Sequence, residues 1–433
     1  MLVRLYTLLG YIIQPLLLLV MWYRGRTLPE YRQRLSERYG FYSKITQPKA
    51  NGIVIHAASV GEVIAATPLI KAIQTQYPEL AITVTTVTPT GSERVKSAFG
   101  NSVSHVYLPY DLPDAINRFL KFVQPRLFIV IETELWPNLI DQIYQQNIPF
   151  VIANARLSPR SAKRYGWIKN HLKGMFNQID LVLAQDEVSA NRYIQLGFDS
   201  QRLVNTGNLK FDLNVTTKQY QAIAEARVHL NLNLRRPVWI AGSTHEGEEN
   251  LILEAHRKLL IAHPSLLLIL VPRHPERFAN VEELLRKIKI PYVKRSDQRS
   301  ILPNTQVLLG DTMGEMMLLY GLAQVAFVGG SLVKHGGHNP LEPIAFGLPV
   351  ISGLHTFNFP EVFSKLRNVD GVVEIESNVD DLADAVNYFL ENPELGKEIS
   401  QAGYDVLKEN QGALKRHLAL LSPYLELKRN KDE

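Results

Sequence analysis

"VIHAASVGEVIAATPLIKAI" (residues 54–73) runs from an apolar strand through a turn of small residues into a helix. Glu62 stands in the first turn of that helix, and two readings of it are open. As a structural residue it meets the positive end of the helix dipole and closes a capping box with Ser59, three positions back. As a functional residue it is a carboxylate base at the carboxyl end of a strand, where open α/β sheets gather their ligands.

The same alternation continues outward. "GIVIHAAS" (52–59), "AITVTTVT" (81–88), "HVYLPYD" (105–111), "RLFIVIETE" (126–134), "PFVIANA" (149–155) and "DLVLAQ" (180–185) are apolar runs of strand length. Helical stretches such as "LPDAINRFLKFV" (112–123) and "DEVSANRYIQLG" (186–197) separate them. Near-continuous apolar strands between amphipathic helices indicate a parallel sheet covered on both faces. "RLVNTGNLKFDL" (202–213) closes this series. A second begins with "PVWIAGST" (237–244) and continues through "LLLILVP" (266–272), "IPYVKRS" (290–296), "TQVLLGD" (305–311), "VAFVGGSL" (325–332) and "PVISG" (349–353). Two doubly wound α/β halves in tandem are expected, with ligands beyond the strand ends in a cleft between them.

At 433 residues the chain exceeds what one core usually supports, which agrees with two domains. Apolar residues make up 46% and charged residues 21%, a folded composition. With no cysteine, disulfides, thiolate metal sites and a thiol nucleophile are excluded. The net charge of +5 is a modest pull toward anionic partners, of which nucleic acid is only one.

"LYTLLGYIIQPLLLLVMWY" (5–23) carries no charge and is about long enough to cross a bilayer core. It exceeds the apolar region of a signal peptide, and no small-residue cleavage site follows. Trp22 and Tyr23 beside Arg24 and Arg26 resemble an interfacial belt, and the heavier basic flank leaves the bulk of the chain cytoplasmic. A buried core helix is the alternative, and Gln14-Pro15 weakens a straight span. A membrane anchor is expected.

No phosphate-binding G-x-x-x-x-G-K-[ST] loop, G-x-S-x-G elbow, H-E-x-x-H helix, G-x-G-x-x-G turn or strand-terminal D-x-D occurs. The second half instead offers "GGSLVKHGGHNPLEPIAFGLPVISG" (329–353), an apolar strand, a glycine-rich loop and a helix starting near Asn339-Pro340. Exposed N–H groups there would suit an anion, and Glu342 could cap the helix or accept from ribose hydroxyls. Two histidines in this loop, His335 and His338, are weak grounds for a metal.

"HAASVGE", "TVTTVTPTGSERV", "ETELWPN", "NARLS", "TGNLKFD", "VPRHPERF", "GDTMGE" and "GGHNPLE" occur in the order found in the 3-deoxy-D-manno-octulosonic acid (Kdo) transferases of lipopolysaccharide synthesis. The chain resembles that family over essentially its whole length, including the N-terminal anchor and "ERYGFY". The resemblance implies an inverting, metal-independent glycosyltransferase of the two-Rossmann GT-B type, needing no cofactor. The donor would be CMP-Kdo and the acceptor the lipid A precursor lipid IVA, receiving two units in succession. It further implies an inner-membrane protein with a single N-terminal anchor, catalytic domains on the cytoplasmic side, anionic lipids as neighbours and no nucleic acid partner. The implied segments are an anchor (1–27), an acceptor domain (28–215), a CMP-sugar domain (216–405) and a C-terminal helix returning to the first domain (406–433).

By the same resemblance Glu62 is the catalytic base, while Glu132 and Lys210 stabilise the transition state. Pro272, Arg273, Met313, Gly314, Glu315, Asn339, Pro340, Leu341 and Glu342 would contact CMP. Arg273 suits either the phosphate or the Kdo carboxylate. Arg156, Arg160, Lys163 and Arg164, with Arg32, Arg34 and Arg38, form candidate basic rims for acceptor phosphates or lipid head groups. Two other classes remain. A sugar-nucleotide epimerase on the same scaffold needs no anchor or acceptor, and a membrane-tethered binding module would be indifferent to Glu62.

Overall fold

Alternate residues of each strand enter opposite cores, and this is what turns the apolar runs into covered sheets. Along the first run Val54 joins Phe128, Val130 and Phe150 on one face, while Ile53 and Ile55 join Leu127, Ile129 and Val151 on the other. The computed structural model describes residues 2–26, 28–43 and 45–426. The ends of two expected segments, at 27 and over 427–433, lie outside the described residues.

The first sheet is built from β1 (Ile53–His56), β2 (Ile82–Thr86), β3 (Ser104–Tyr107), β4 (Leu127–Ile131), β5 (Phe150–Ala155), β6 (Leu181–Ala184) and β7 (Leu203–Asn205). Its order is β3-β2-β1-β4-β5-β6-β7, and β1 pairs in parallel with both β2 and β4. The second is built from β8 (Val238–Thr244), β9 (Leu267–Pro272), β10 (Tyr292–Lys294), β11 (Val307–Leu309), β12 (Val325–Val328), β13 (Val350–Gly353) and β14 (Val373–Ile375). Its order is β10-β11-β9-β8-β12-β13-β14, again parallel. Each order reverses at its centre, between β1 and β4 and between β8 and β12, and in the second sheet β11 is also inserted between β9 and β10. Those reversals are the switch points where such sheets open toward ligands.

The chain divides into two units, Met1–Asp212 with Asn410–Glu433, and Leu213–Glu409. The last helix, Ala413–Glu426, buries Ala413, His417, Leu421 and Leu425 at four-residue spacing and packs on the helix Val60–Gln76. Asp212 fixes its start by accepting from the Gly412 N–H at 2.6 Å and from the Leu414 N–H. β14 was not among the expected strands. It is three residues long and only partly buried, too short to show a pattern.

The expected anchor stretch is not one continuous helix. Among the described residues no single helix is long and apolar enough to cross a membrane. The stretch forms two helices, Leu2–Ile12 and Gln14–Arg24, bent by 51°. Pro15 has no N–H to continue the first helix, and the Gln14 side chain donates to the Gly10 carbonyl at 2.6 Å beside the break.

Candidate active site

β1 delivers the chain to the switch point of the first sheet, and Glu62 turns back onto the strand end. Ser59 is the N-cap of the helix Val60–Gln76, its hydroxyl accepting from the Glu62 N–H at 3.4 Å. The Glu62 carboxylate accepts from the Ala58 N–H at 2.7 Å and from the Ser59 hydroxyl at 3.0 Å. The capping geometry is therefore real. It does not exhaust the residue. Burial, followed by the negative charge of Glu132, pushes the Glu62 carboxyl up to about 8, against the lowering effect of the Ala58 N–H. A carboxylate whose proton affinity sits near neutrality is a far stronger base than an exposed one.

Glu132 directly follows β4, the strand beside β1, with a φ of 62°. A left-handed backbone at a non-glycine residue costs on the order of 1 kcal/mol or more and is retained where surrounding structure demands it. Here it accompanies an ion pair, Lys210 Nζ to Glu132 Oε1 at 3.1 Å. Lys210 is held from behind: Asn208 accepts from the Lys210 N–H at 3.0 Å, and Asn154 accepts from the Leu209 N–H at 3.0 Å. The Asn154 N–H in turn donates to His417 Nε2 at 3.0 Å, so the last helix braces this turn. Glu62, Glu132 and Lys210 are thus brought to one strand edge of the first unit. A third carboxylate joins them. Glu134 accepts from the Trp136 indole at 2.5 Å, its carboxyl is raised by burial, and its charge is felt at Glu62. Sequence reasoning missed it, although the second acid of "ETELW" was the available signal.

These surroundings predict two pH effects. A base must be deprotonated to act, so kcat/KM should rise about tenfold per unit below pH 8 and level above it. Rate profiles from pH 6 to 9 on the wild type and Glu62→Gln check this, and the rising limb should vanish in the variant. The stability effect has the opposite sense. A folded-state value raised above the unfolded one contributes stability that is complete below about 4.5 and lost as pH rises through 8. Glu62→Gln should therefore melt about 2–5 °C above the wild type at pH 8.5 and near it at pH 5, by calorimetry.

In the second unit the expected residues share the carboxyl edge of the sheet. Pro272 ends β9, and the Arg273 N–H donates to the Thr244 carbonyl at 2.9 Å. Met313, Gly314 and Glu315 follow β11. Met313 is 52% exposed, so it is no core residue, and Glu315 pairs with Arg295 at 2.7 Å. Asn339 accepts from the Leu341 N–H at 3.2 Å, and Pro340 and Leu341 are buried while Glu342 is half-buried.

The helix after the glycine loop is short, Leu341–Ile344, with Pro340 as its N-cap. The first three N–H groups of the loop, those of Gly330, Ser331 and Leu332, already have a carboxylate. Glu248, fully buried after β8, accepts from the N–H groups of His245 (2.8 Å), Gly330 (2.7 Å), Ser331 (3.1 Å) and Leu332 (3.0 Å). What the edge does offer an anion is Arg273 with a group of imidazoles. His245 Nε2 and His338 Nε2 lie 2.8 Å apart, and His335 stacks on His245 at 4.2 Å between centroids. Burial holds His245 down at about 4 and His338 at about 3, with neighbouring histidines and Arg273 adding to the effect. Glu248 and His245 were missed by sequence reasoning. Their signal was "THEGEE" directly after a strand, the counterpart of "HAASVGE" in the first half.

The candidate acceptor rims separate. Arg160, Lys163 and Arg164 are exposed on the helix Pro159–Gly166, and Arg156 is half-buried. Arg38 is corrected, being buried rather than on a rim. Arg38 is 2% exposed over the Tyr107 ring, and Arg34 is paired with Glu37 at 2.5 Å. Arg32 donates to the Trp22 carbonyl at 2.9 Å.

Residues 33–213 match the family described as 3-deoxy-D-manno-octulosonic-acid transferase, and residues 244–406 match the glycosyl transferases group 1. The chain is similar to a 3-deoxy-D-manno-octulosonic acid transferase of Haemophilus influenzae, 58% identical over 97% of this chain and 98% of that one. Among solved structures it is similar to a glycosyltransferase from Rickettsia africae (14% identity, TM-score 0.55, 88% of this chain and 100% of that one). It is equally similar to a UDP-GlcNAc 2-epimerase from Neisseria meningitidis (15% identity, TM-score 0.55, 86% of this chain and 100% of that one). Fold likeness at that identity does not separate transferase from epimerase, whereas sequence likeness over nearly the full length does. The chain belongs to the 3-deoxy-D-manno-octulosonic acid transferases, and its two parallel sheets have the GT-B arrangement of glycosyltransferases.

Proposed function

We propose that this transferase moves Kdo from CMP-Kdo to the lipid A precursor lipid IVA, with inversion and without a metal, at the cytoplasmic face of the bacterial inner membrane. The observation that carries the chemistry is the desolvated Glu62 carboxylate beside the Glu132–Lys210 pair across the β1/β4 switch point. Glu62 takes the proton of the acceptor hydroxyl as its oxygen attacks the anomeric carbon. The bond from that carbon to the phosphate oxygen breaks, and its electron pair leaves with CMP. Glu132 and Lys210 stabilise the charge that develops around the anomeric carbon. Arg273, Pro272, Met313 to Glu315 and Asn339 to Glu342 hold the nucleotide. The His245 and His338 imidazoles, kept neutral by burial, become hydrogen-bond donors to its anionic groups.

CMP leaves as a phosphate monoester with no pyrophosphate to chelate a cation, so cationic side chains suffice for the departing charge. Turnover should be unchanged in EDTA, and loss restored specifically by magnesium would overturn the metal-free reading. The defining experiment incubates the protein with CMP-Kdo, with and without lipid IVA. CMP release should require the acceptor, and product mass should show two successive additions. An epimerase would convert the donor alone. That outcome would refute the transferase assignment of the acceptor.

A further inference from the structure

The face that the first N-terminal helix turns toward its own domain is the polar one. Thr7, Gly10, Gln14, Leu17 and Met21, spaced three and four apart, are the positions partly covered from residue 3 through Met21, while the rest are exposed. The first helix is tied to the domain on successive turns. Thr7 donates to Asn138 at 2.9 Å, and Tyr11 donates to Asp114 at 2.5 Å. Gly10 lies so close to Leu112 that a Cβ there would be 3.3 Å from the leucine methyl. The opposite face is continuous hydrocarbon: Leu5, Leu8, Leu9, Ile12, Leu16 and Leu19 are 52–65% exposed.

A helix that crossed a bilayer would have to drag Asn138 and Asp114 into hydrocarbon or surrender these bonds, and polar and ionisable groups at that depth are costly. Lying flat, the pair keeps every polar tie and buries every exposed leucine. Its far end is built for a head-group layer. Arg26 stacks over Trp22 at 4.8 Å, Arg32 over Trp22 at 5.1 Å, and Arg24 over Tyr31 at 5.6 Å. Aromatic rings with arginines at one level mark an interface, and the cationic excess selects anionic lipid.

We propose that residues 2–24 form a monotopic anchor: a bent helix pair lying in the plane of one anionic leaflet, the polar face of its first helix docked on the first domain and its leucine face sunk into the acyl chains. The occupant of the apolar face is lipid, and the domain rests against the same leaflet. Asn138, which receives Thr7, donates its N–H to Asp111 (3.1 Å), as does Leu139 (2.8 Å), at the start of the helix following the Glu132–Glu134 turn. The docking site is thereby joined to the catalytic loop, which fixes the height of that loop above the membrane. None of this depends on the identity of donor or acceptor.

The absence of native cysteine makes the test direct. Single cysteines at Leu5, Leu9, Leu16 and Leu19 carry an environment-sensitive fluorophore in vesicles of phosphatidylethanolamine and phosphatidylglycerol, and shallow and deep spin-labelled lipids quench it. An in-plane pair places all four at one shallow depth, whereas a spanning segment gives a graded series through the midplane. Separately, Arg4→Cys and Glu30→Cys are treated with a membrane-impermeant maleimide in sealed native vesicles of each orientation. Both should react from the cytoplasmic face alone. A depth series through the midplane, or Arg4→Cys reacting from the opposite face, would overturn the proposal. Retained circular dichroism and turnover in each variant confirm that the folded protein is being read.

Discussion

Glu62→Gln is expected to bind CMP-Kdo nearly as tightly as the wild type and to turn over about 10²–10⁴-fold more slowly, the usual contribution of a positioned base. Glutamine keeps the shape and an oxygen that can accept from the Ala58 N–H, so the turn after β1 should survive. What it removes is proton affinity. The loss should therefore fall on kcat, with donor affinity read separately by calorimetry. A variant with near wild-type turnover would exclude Glu62 from the mechanism. The non-catalytic binding module predicts that outcome. The same variant should gain stability at high pH, because a desolvated carboxylate held near Glu132 and Glu134 burdens the fold when charged. Slower chemistry together with a higher melting temperature is not what a merely structural cap would give, since losing a cap destabilises.

Glu248→Ala is expected to produce the largest loss of stability. The alanine would leave four buried N–H groups without an acceptor, those of His245, Gly330, Ser331 and Leu332. Each orphaned donor costs about 1–3 kcal/mol, so a loss of about 4 kcal/mol or more is anticipated. That corresponds to a fall on the order of 10 °C in the melting of the second unit. Differential scanning calorimetry should show one transition moved and the first unit's transition nearly unchanged. Donor affinity should fall with it, because the loop that carries His338 and Asn339 would lose its brace. Glu248→Gln retains an oxygen for some of the four donors and should lie between. A melting profile indistinguishable from wild type would mean that the loop is held by other contacts.

Much of the fold was legible because its signals are local. Twelve of the strands could be read from apolar runs, since a strand buried on both faces writes itself as a continuous stretch. β14 escaped because three half-buried residues carry no period. The trio proposed as catalytic was legible only through resemblance: Glu132 alone is a polar residue after a strand, and Lys210 alone is a loop lysine. Their pairing spans 78 positions, and no periodicity reaches that far. The clamp on the glycine loop escaped for a related reason. The carboxylate that takes the Gly330, Ser331 and Leu332 N–H groups comes from Glu248, some eighty residues earlier.

The sequence by itself determined the alternation of strand and helix, the division into two doubly wound halves, and the motifs that name the family. Side-chain period and turn chemistry act over a few residues and need no partner. Tertiary structure decided the proton affinity of Glu62, the clamp of Glu248 on its loop, the burial of Arg38, and the side of the N-terminal helices that faces protein. Each of these depends on which strand lies beside which, and on what is thereby removed from water. The order β2-β1-β4 sets Glu62 and Glu132 on neighbouring strand ends, and desolvation together with the charge of Glu132 then makes a base of an ordinary capping glutamate.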